Sequence, residues 1–193
     1  MRKIDRIILK NVLNLNNLLN TIESSHNIQQ IKSNIPGQLI KDQTSKTVLK
    51  LELGDSSYFL KIWWDLNLIR FIKNTWRGSF RAYREANGLL LLNKLGLNVP
   101  ELIVYGLVRQ SFKINHNYIL TKELMNCSTL GAYLISKQVS NTEIMQKLAY
   151  FVFLMHKNDV VHGDFHHDNI LVYRNSENIE FYFLDWMGIR KSK

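Results

Sequence analysis

Two acidic side chains and one amide in the last third of the chain have the types and spacing that phosphoryl transfer requires. Asp164 lies in the segment HGDFHHDN at residues 162–169, Asn169 ends that segment, and Asp185 follows the next apolar run. Transfer needs a carboxylate that orients or deprotonates the acceptor hydroxyl, and oxygen ligands for a Mg²⁺ ion that neutralises the triphosphate. Asp164 suits the first role, and Asn169 and Asp185 suit the second.

The composition describes a basic, globular chain. It has 193 residues, 46% of them hydrophobic, which is enough for one domain or a two-lobed unit with a modest core. The formal net charge of +9 favours an anionic partner such as a nucleotide, a nucleic acid, a phosphorylated glycan or an acidic membrane surface. A basic surface that only keeps the protein soluble has the same composition, so the charge does not choose between these interpretations.

Cysteine content and hydropathy favour a cytoplasmic protein. The single cysteine, Cys127, excludes an intramolecular disulfide and a cysteine-rich zinc site, and it fits a reducing setting. The N-terminus lacks the apolar run of a secretory signal, and no stretch has the ~18 uncharged apolar residues of a membrane span. Any membrane contact is therefore expected to be peripheral.

Hydrophobic periodicity predicts an N-terminal helix followed by strands. Apolar residues recur at helical spacing over residues 4–32, and a Pro-Gly pair ends this segment. Alternation over 47–53 and 58–64, around a glycine-containing turn, predicts a hairpin. The remaining predicted elements are, in order, a helix over 79–95, strands over 102–108 and 117–122, helices near 128–136 and 141–157, and strands over 170–173 and 179–184.

Five parts of the sequence together carry a resemblance to a known family. They are YFLK at 58–61, RAYRE at 81–85, LGLNVPE at 95–101 with YG at 105–106, ILTKEL at 119–124, and the stretch from 155 to 171. They are similar to the lysine strand, the glutamate helix, the glycine–proline stretch, the hinge and the catalytic loop of the lipopolysaccharide core kinases. Members of that family phosphorylate Kdo or heptose and have a protein-kinase-like fold.

The resemblance, which covers roughly residues 40–190, implies a bilobal α+β protein-kinase-like fold. The N-lobe would contain an antiparallel sheet, and the C-lobe would be short and mainly helical. The expected division is an N-terminal helical segment at 1–36, an N-lobe at 37–122 and an abbreviated C-lobe with the catalytic loop at 123–193. Only eight residues follow Asp185, so an activation segment and the usual later helices are not expected.

The resemblance also implies the catalytic and metal-binding residues. Lys61 would contact the α- and β-phosphates of ATP, and Glu85 would hold it by an ion pair. Asp164 would act on the acceptor hydroxyl, while Asn169 and Asp185 would bind Mg²⁺. In this family-based assignment, ATP and Mg²⁺ are the expected cofactors.

Residues for the adenine base follow from the same resemblance. Thr121 would lie behind the base, and Lys122 and Leu124 would offer it backbone groups. His162 would be structural, with its ring bonded to backbone near Asp185. The loop that covers the phosphates should lie near residues 40–48, where no glycine occurs; a tight backbone cradle is not expected there, although lysine and serine side chains could substitute.

Two departures from the protein-kinase pattern change the regulation and the substrate class that the sequence predicts. Gly163 stands where protein kinases usually have the arginine that reads a phosphorylated activation loop, so this regulation is not expected. His-Gly-Asp is more typical of small-molecule kinases, and Asp185-Trp186-Met187-Gly188 replaces Asp-Phe-Gly. The predicted function is therefore an ATP- and Mg²⁺-dependent phosphotransferase acting on a sugar hydroxyl, with Kdo or heptose of a lipopolysaccharide core as the first expectation.

Three alternatives remain open at this stage. One is an atypical small protein kinase or another small-molecule kinase, and a second is an inactive kinase-like binding module. A third is a metal hydrolase, because His166 and His167 beside carboxylates could bind zinc or iron.

An anionic glycolipid or sugar is the expected partner, and no specific nucleic acid is expected. The basic and aromatic stretch at 63–77 suits peripheral contact with the inner membrane or a glycolipid, or a partly buried linker.

Overall fold

The structure, a computed structural model, describes residues 2–64, 80–110, 113–136, 141–174 and 178–186. The chain forms two units. One contains Met1–Tyr83 and Glu101–Glu123, and the other contains Arg84–Pro100 and Leu124–Lys193. Helices and antiparallel strands occur in both, which confirms the predicted α+β class. The division at residues 36 and 122 stays a prediction.

The first unit is built on a six-stranded antiparallel sheet. Its strands are β1 (Arg2–Ile8), β2 (Gln38–Gln43), β3 (Lys46–Leu53), β4 (Ser56–Trp64), β5 (Leu102–Gln110) and β6 (Lys113–Lys122). Their order across the sheet is β1-β5-β6-β4-β3-β2. The strands predicted at 47–53, 58–64, 102–108 and 117–122 are confirmed, whereas β2 was not predicted.

The β3–β4 hairpin follows directly from local sequence. Alternating side chains put one apolar face of each strand on the core, which is the period that a pleated strand requires. Gly54 has φ 65, a left-handed conformation that glycine adopts without steric cost, and it closes the turn. Leu53 and Ser56 form the last pair before that turn.

The helix predicted over residues 4–32 is wrong at its beginning. Residues 2–8 form strand β1, which pairs antiparallel with β5, and helix α1 (Leu15–Ser24) begins only after Asn14, whose φ is 62. Helix α2 (Ile28–Asn34) follows. The isoleucines of residues 4–8 suit a strand as well as a helix, and the long-range pairing with β5 decides in favour of the strand.

Helices α1 and α2 cover one face of the sheet. Leu15, Leu19, Ile22 and Ile31 are almost fully buried in a core cluster with apolar residues of β3, β4, β5 and β6. The apolar stripe on α1 is thus used for packing within this unit.

A buried carboxylate ties the N-terminal segment to the sheet. The hydroxyl of Tyr118 donates to Glu23 Oε1 at 2.6 Å, and the Arg6 guanidinium donates to Glu23 Oε2 at 2.9 Å. Burial, followed by the bond to Glu23, raises the pKa of Tyr118 far above its ordinary value. The hydroxyl therefore stays a hydrogen-bond donor at any physiological pH.

Trp63 and Trp64 are core residues of β4, with 1% and 8% of their surface exposed. The interpretation of these two tryptophans as part of a membrane- or glycolipid-contacting stretch is therefore wrong, because both side chains are buried. Residues 65–79, the rest of that stretch, lie outside the described residues.

The second unit combines helices with a three-stranded antiparallel sheet. Its elements are most of helix α3 (Arg81–Lys94), then strand β7 (Cys127–Thr129), helices α4 (Leu130–Ile135) and α5 (Asn141–Lys157), a 3₁₀ turn (His167–Asn169), and strands β8 (Ile170–Arg174) and β9 (Ile179–Phe183). The strand order is β7-β8-β9. All of these except β7 and the 3₁₀ turn were predicted.

Aromatic rings form part of the packing that holds this sheet to α5. The ring of Phe151 lies 5.8 Å from that of Phe181 and 5.9 Å from that of Phe183, both in edge-on contact. Edge-to-face pairs at this separation are favourable beyond the area they bury. They support strand β9, which pairs with β8 and leads into Asp185.

Candidate active site

His162 joins the loop of Asp164 to the segment that leads into Asp185. Its Nε2 lies 2.9 Å from the carbonyl oxygen of Leu184, and its Nδ1 accepts the backbone N–H of Asp164 at 3.0 Å. Because Nδ1 is an acceptor, the proton of the neutral ring is on Nε2, which donates to Leu184. The structural role predicted for His162 is therefore confirmed.

The surroundings of His162 keep its ring neutral. The side chain is 8% exposed, and its ring centroid lies 4.1 Å from that of Trp186 and 5.7 Å from that of Phe165. Burial lowers the pKa of His162, and the bond to the Leu184 carbonyl only partly opposes this shift. A neutral ring matches the hydrogen bonds, since a doubly protonated ring could not accept from Asp164.

Asn169 forms hydrogen bonds both to Asp164 and to the segment that leads into Asp185. Its Nδ2 donates to the backbone oxygen of Asp164 at 2.9 Å and lies 3.2 Å from Asp164 Oδ2. The backbone carbonyl of Asn169 accepts the backbone N–H of Leu184 at 2.8 Å. Since the amide nitrogen is directed at Asp164, the side-chain oxygen Oδ1 is available as a ligand, and none of the described residues donates to it.

The carboxylate of Asp164 is open to solvent, with 70% of its side-chain surface exposed. Its backbone, in contrast, is held on both sides by His162 and Asn169. A fixed backbone with an exposed carboxylate is what a group needs if it is to meet the hydroxyl of an incoming substrate.

Asp185 adopts a left-handed backbone conformation, with φ 53. A non-glycine residue rarely has this conformation, and where it does the surrounding structure holds it. Here the following residue, Trp186, is fully buried, and a Cβ placed on Gly88 of helix α3 would lie only 2.5 Å from the Trp186 Cβ. Close approach of Trp186 to the helix backbone thus fixes the position of Asp185.

Glu85 lies one turn before Gly88 on helix α3 and is 2% exposed. The beginning of the helix is anchored by Asn117 of β6, whose side-chain oxygen accepts the backbone N–H of Ala82 at 2.9 Å. A helix leaves its first N–H groups without intrahelical partners, and this side chain supplies one. The first turn of α3, which belongs to the first unit, is therefore tied to strand β6.

Lys61 and Thr121 lie on the same face of the first unit's sheet. Lys61 pairs with Ile119 across β4 and β6, and Thr121 pairs with Phe59. Side chains two residues apart on a strand share a face, so Phe59, Lys61, Ile119 and Thr121 all point away from the core formed with α1 and α2. The structure thus brings these two predicted ATP residues together on one surface.

Lys122 can offer only part of its backbone to a ligand. Its N–H donates to the carbonyl of Glu101 at 2.9 Å, and the N–H of Glu123 donates to Ser57 at 2.8 Å. The carbonyl of Lys122 is therefore the group that it could present to adenine. Leu124, the other predicted backbone contact, follows these two residues directly.

His166 forms a hydrogen bond within the loop at residues 162–169. Its Nδ1 accepts the N–H of Asp168 at 3.2 Å at the beginning of the 3₁₀ turn. His167 contacts Asp168 at 3.1 Å. Within the ranges that the structure describes, no three His, Cys, Asp or Glu side chains cluster as metal ligands, and so the hydrolase interpretation has no geometric support there.

Sequence reasoning did not identify Gly88, Trp186 and Asn117 as residues that position the site. A signal existed for Gly88, because a glycine inside a helix costs ~1 kcal/mol relative to alanine and often marks close packing. For Asn117 no local signal exists, since its partner Ala82 is distant in sequence. Both contacts become visible only in three dimensions.

Similar solved structures share this fold. The structure of WaaP in complex with acyl carrier protein has a TM-score of 0.65 at 15% identity, covering 97% of this chain and 74% of that one. A crystal structure of WbdD has a TM-score of 0.56 at 16% identity, covering 83% and 34%. A structure of the bifunctional kinase-methyltransferase WbdD has a TM-score of 0.53 at 15% identity, covering 77% and 31%. The predicted kinase-like fold is thereby confirmed.

Sequence comparison identifies the family. No curated protein matches this sequence. The model of the lipopolysaccharide kinase (Kdo/WaaP) family, however, matches residues 36–190, which include both strand β4 with Lys61 and the loop with Asp164. The predicted resemblance is confirmed: this chain belongs to the lipopolysaccharide kinase (Kdo/WaaP) family and is a kinase.

Proposed function

We propose that the protein transfers the γ-phosphoryl group of Mg²⁺-bound ATP to a hydroxyl of a lipopolysaccharide core sugar, Kdo or heptose. The observation that carries this proposal is the arrangement around Asn169. Its amide nitrogen holds Asp164, its carbonyl holds Leu184 just before Asp185, and its Oδ1 remains available. Asn169 thus links, through its side-chain amide and its backbone carbonyl, the residue that would meet the acceptor with the segment that leads into Asp185.

The donor set suits magnesium. Mg²⁺ prefers oxygen ligands and usually takes only one or two carboxylates from the protein, with phosphate oxygens and water completing the shell. Asn169 Oδ1 and the Asp185 carboxylate are both oxygen donors of this kind. When bound, the ion would neutralise charge on the β- and γ-phosphates during transfer.

Asp164 is proposed as the residue that acts on the acceptor. Its exposed carboxylate would accept the hydroxyl proton as the sugar oxygen forms a bond to the γ-phosphorus and the bond to ADP breaks. The products are a sugar phosphomonoester and ADP, and the proton then leaves Asp164 to solvent. The bonds from His162 and Asn169 to its backbone would keep the carboxylate in place during this step.

Lys61 and Glu85 are proposed as the ATP-orienting pair, with Lys61 contacting the α- and β-phosphates. The position of Lys61 on the same sheet face as Thr121 supports this role, because base and phosphates of one nucleotide would then meet one surface. Thr121 would lie behind adenine, the carbonyl of Lys122 would accept from the base, and the N–H of Leu124 would donate to it.

The acceptor class rests on the family and on charge. A net charge of +9 favours an anionic substrate, and a core sugar that bears carboxylate or phosphate meets that condition. Among the described helices, none has the length and apolar character of a membrane-spanning segment. We propose that the protein acts in the cytoplasm, reaching its glycolipid by peripheral contact with the cytoplasmic face of the inner membrane.

The test is transfer from γ-³²P-labelled ATP to purified core oligosaccharides that end in Kdo or in heptose. We expect the label to appear on one of these two oligosaccharides, and we expect this labelling to require Mg²⁺. Label on protein or on a small alcohol, with none on either glycan, would overturn the sugar assignment in favour of a protein or small-molecule kinase. Absence of ATP binding with and without Mg²⁺ would instead indicate an inactive binding module.

A further inference from the structure

Exposed aliphatic side chains line one edge of the first unit's sheet. Strand β1 is the outermost strand at that edge, where it pairs with β5. Five side chains of this strand and of the segment directly after it are between 41% and 66% exposed, namely Ile4, Ile7, Ile8, Leu9 and Leu13. Apolar residues that are exposed singly are normal, but five within ten consecutive residues form a local concentration. We call residues 4–13 the N-terminal edge.

The backbone of the N-terminal edge is held by hydrogen bonds. All seven residues of β1 pair with β5 in one unbroken antiparallel register. Beyond the strand, the N–H groups of Leu9 and Lys10 both donate to the carbonyl of Ile103, at 2.8 and 3.2 Å. The exposure of these aliphatic side chains is therefore a property of the folded sheet.

Basic residues accompany the aliphatic ones. Residues 1–13 contain four basic residues and one acidic residue. Three ion pairs include side chains of this region, and they join Arg6 to Glu23, Lys10 to Glu101 and Arg109 of β5 to Asp5. With Arg2 and Lys3 included, the basic residues outnumber these three acidic partners by five to three. The region is thus complementary in charge to an anionic surface.

The chemistry of these side chains fits a lipid bilayer better than a protein partner. All five exposed side chains are aliphatic, whereas the centres of protein interfaces are enriched in aromatic residues and methionine. Aliphatic side chains beside lysine and arginine are the combination by which peripheral proteins enter the headgroup region of a membrane. The bilayer that holds a glycolipid substrate supplies both an apolar interior and anionic headgroups.

We propose that the N-terminal edge is the surface by which the protein contacts a lipid bilayer with anionic headgroups. The aliphatic side chains would enter the boundary between headgroups and acyl chains, while the basic residues would meet lipid phosphates. This inference deepens the proposed function and rests on it, because it names the part of the protein that would meet the inner membrane.

The experiment measures co-sedimentation of the full-length protein with vesicles of phosphatidylcholine alone and of phosphatidylcholine mixed with phosphatidylglycerol. Stronger binding to the anionic vesicles is expected, and high salt should weaken it, because salt screens exposed charges. The double variant Ile7→Thr/Leu9→Ser removes two of the exposed aliphatic side chains and should bind these vesicles about 5- to 30-fold more weakly. Threonine retains the β-branched shape that suits a strand.

Leu39→Ser/Ile40→Thr is the matched control. It makes the same two replacements on β2, the edge strand at the opposite side of the sheet, where both side chains are similarly exposed. The control should bind anionic vesicles as the wild type does, and thermal unfolding of each variant checks that it folds. Equal binding by Ile7→Thr/Leu9→Ser and the wild type would overturn the inference. Equal weakening in the control, or equal binding of the wild type to neutral and anionic vesicles, would also overturn it.

Light scattering during size-exclusion chromatography tests a second copy of the chain as the partner. A wild-type dimer that Ile7→Thr/Leu9→Ser converts to a monomer would overturn the bilayer assignment. The vesicle assay contains neither ATP nor glycan, so its result does not depend on catalysis. If the protein phosphorylates a core sugar but does not bind anionic vesicles, only this inference fails. If it binds them through the N-terminal edge but phosphorylates no core sugar, the proposed function fails and the membrane contact stands.

Discussion

The side-chain oxygen of Asn117 accepts the backbone N–H of Ala82 at 2.9 Å, and this bond ties strand β6 to the first turn of the helix that carries Glu85. Asn117 is 1% exposed, so water cannot replace it. The bond gives the buried N–H of Ala82, at the beginning of that helix, a partner from a different element of the same unit.

Replacing Asn117 by alanine is expected to lower both stability and turnover. The buried N–H of Ala82 would lose its partner, at a cost of about 1–3 kcal/mol, and a less firmly held first turn should reduce kcat more than it raises KM for ATP. Urea unfolding and steady-state kinetics measure the two effects. Asn115→Ala is the control: Asn115 is on the same strand, and its amide donates to the Ser25 carbonyl at 3.2 Å. That variant should lose stability but keep its kcat.

Stability is expected to fall as the pH drops through the ordinary pKa of histidine, because of His162. Burial lowers the pKa of His162 in the folded protein. As the pH falls through ~6.5, this histidine therefore binds a proton in the unfolded chain, whereas in the folded protein it binds one only at lower pH. The contribution of the buried His162 ring to the free energy of unfolding is complete above that pH. It is lost as the pH falls toward the pKa of His162 in the folded protein.

Thermal unfolding between pH 5 and 8 measures this effect. The variant His162→Gln should show a flatter dependence on pH than the wild type, together with a lower stability near neutrality. His156→Gln, which removes an exposed histidine of α5, should keep the slope of the wild type. The explanation fails if His162→Gln and the wild type have the same slope.

Gly88→Ala is expected to destabilise the second unit even though alanine favours helix. The propensity gain is about 1 kcal/mol, but the new Cβ would lie 2.5 Å from the Trp186 Cβ and 3.1 Å from its carbonyl oxygen. Overpacking of this kind costs about 1–3 kcal/mol, and displacement of Trp186 should also lower the affinity for Mg²⁺-ATP through Asp185.

Gly131→Ala serves as the matched control for this change. The three atoms nearest to the added Cβ on helix α4 would all belong to the ring of His167, an exposed side chain that can move aside. Its stability in urea should equal or exceed that of the wild type. A Gly88→Ala protein with unchanged stability and unchanged Mg²⁺-ATP affinity would contradict the role given to Trp186.

Replacing Asp164 by alanine and replacing Asp185 by alanine are expected to impair different properties of the enzyme. Asp164→Ala should lower kcat by about 10²- to 10⁴-fold while Mg²⁺-ATP still binds, because the proposed role of its carboxylate is to act on the acceptor hydroxyl and not on the nucleotide. Asp185→Ala should lose turnover together with Mg²⁺-dependent ATP affinity. Asp168→Ala, an exposed neighbour on the same loop, should remain active. Turnover retained in either of the first two variants, in a folded protein, would count against the proposed roles.

The local sequence determined much of the fold and of the site. The β3–β4 hairpin, helix α3 and the strands on either side of Asp164 each follow from periodicity within a few residues and from a turn residue such as Gly54. The contacts that His162 and Asn169 make with Asp164 follow from the short segment to which all three belong. The catalytic and metal-binding roles of Asp164, Asn169 and Asp185 stay predictions.

Contacts between distant residues were decided only by the tertiary structure. Residues 4–8 have a pattern compatible with a helix, but pairing with β5 makes them a strand. Gly88 meets Trp186, Asn117 meets Ala82, and Thr121 shares a face with Lys61, because the sheet register and helix packing bring them together. Hydrophobic periodicity shows which side of a helix or strand is apolar. Which other element packs against that side depends on the free energy of the whole packed unit.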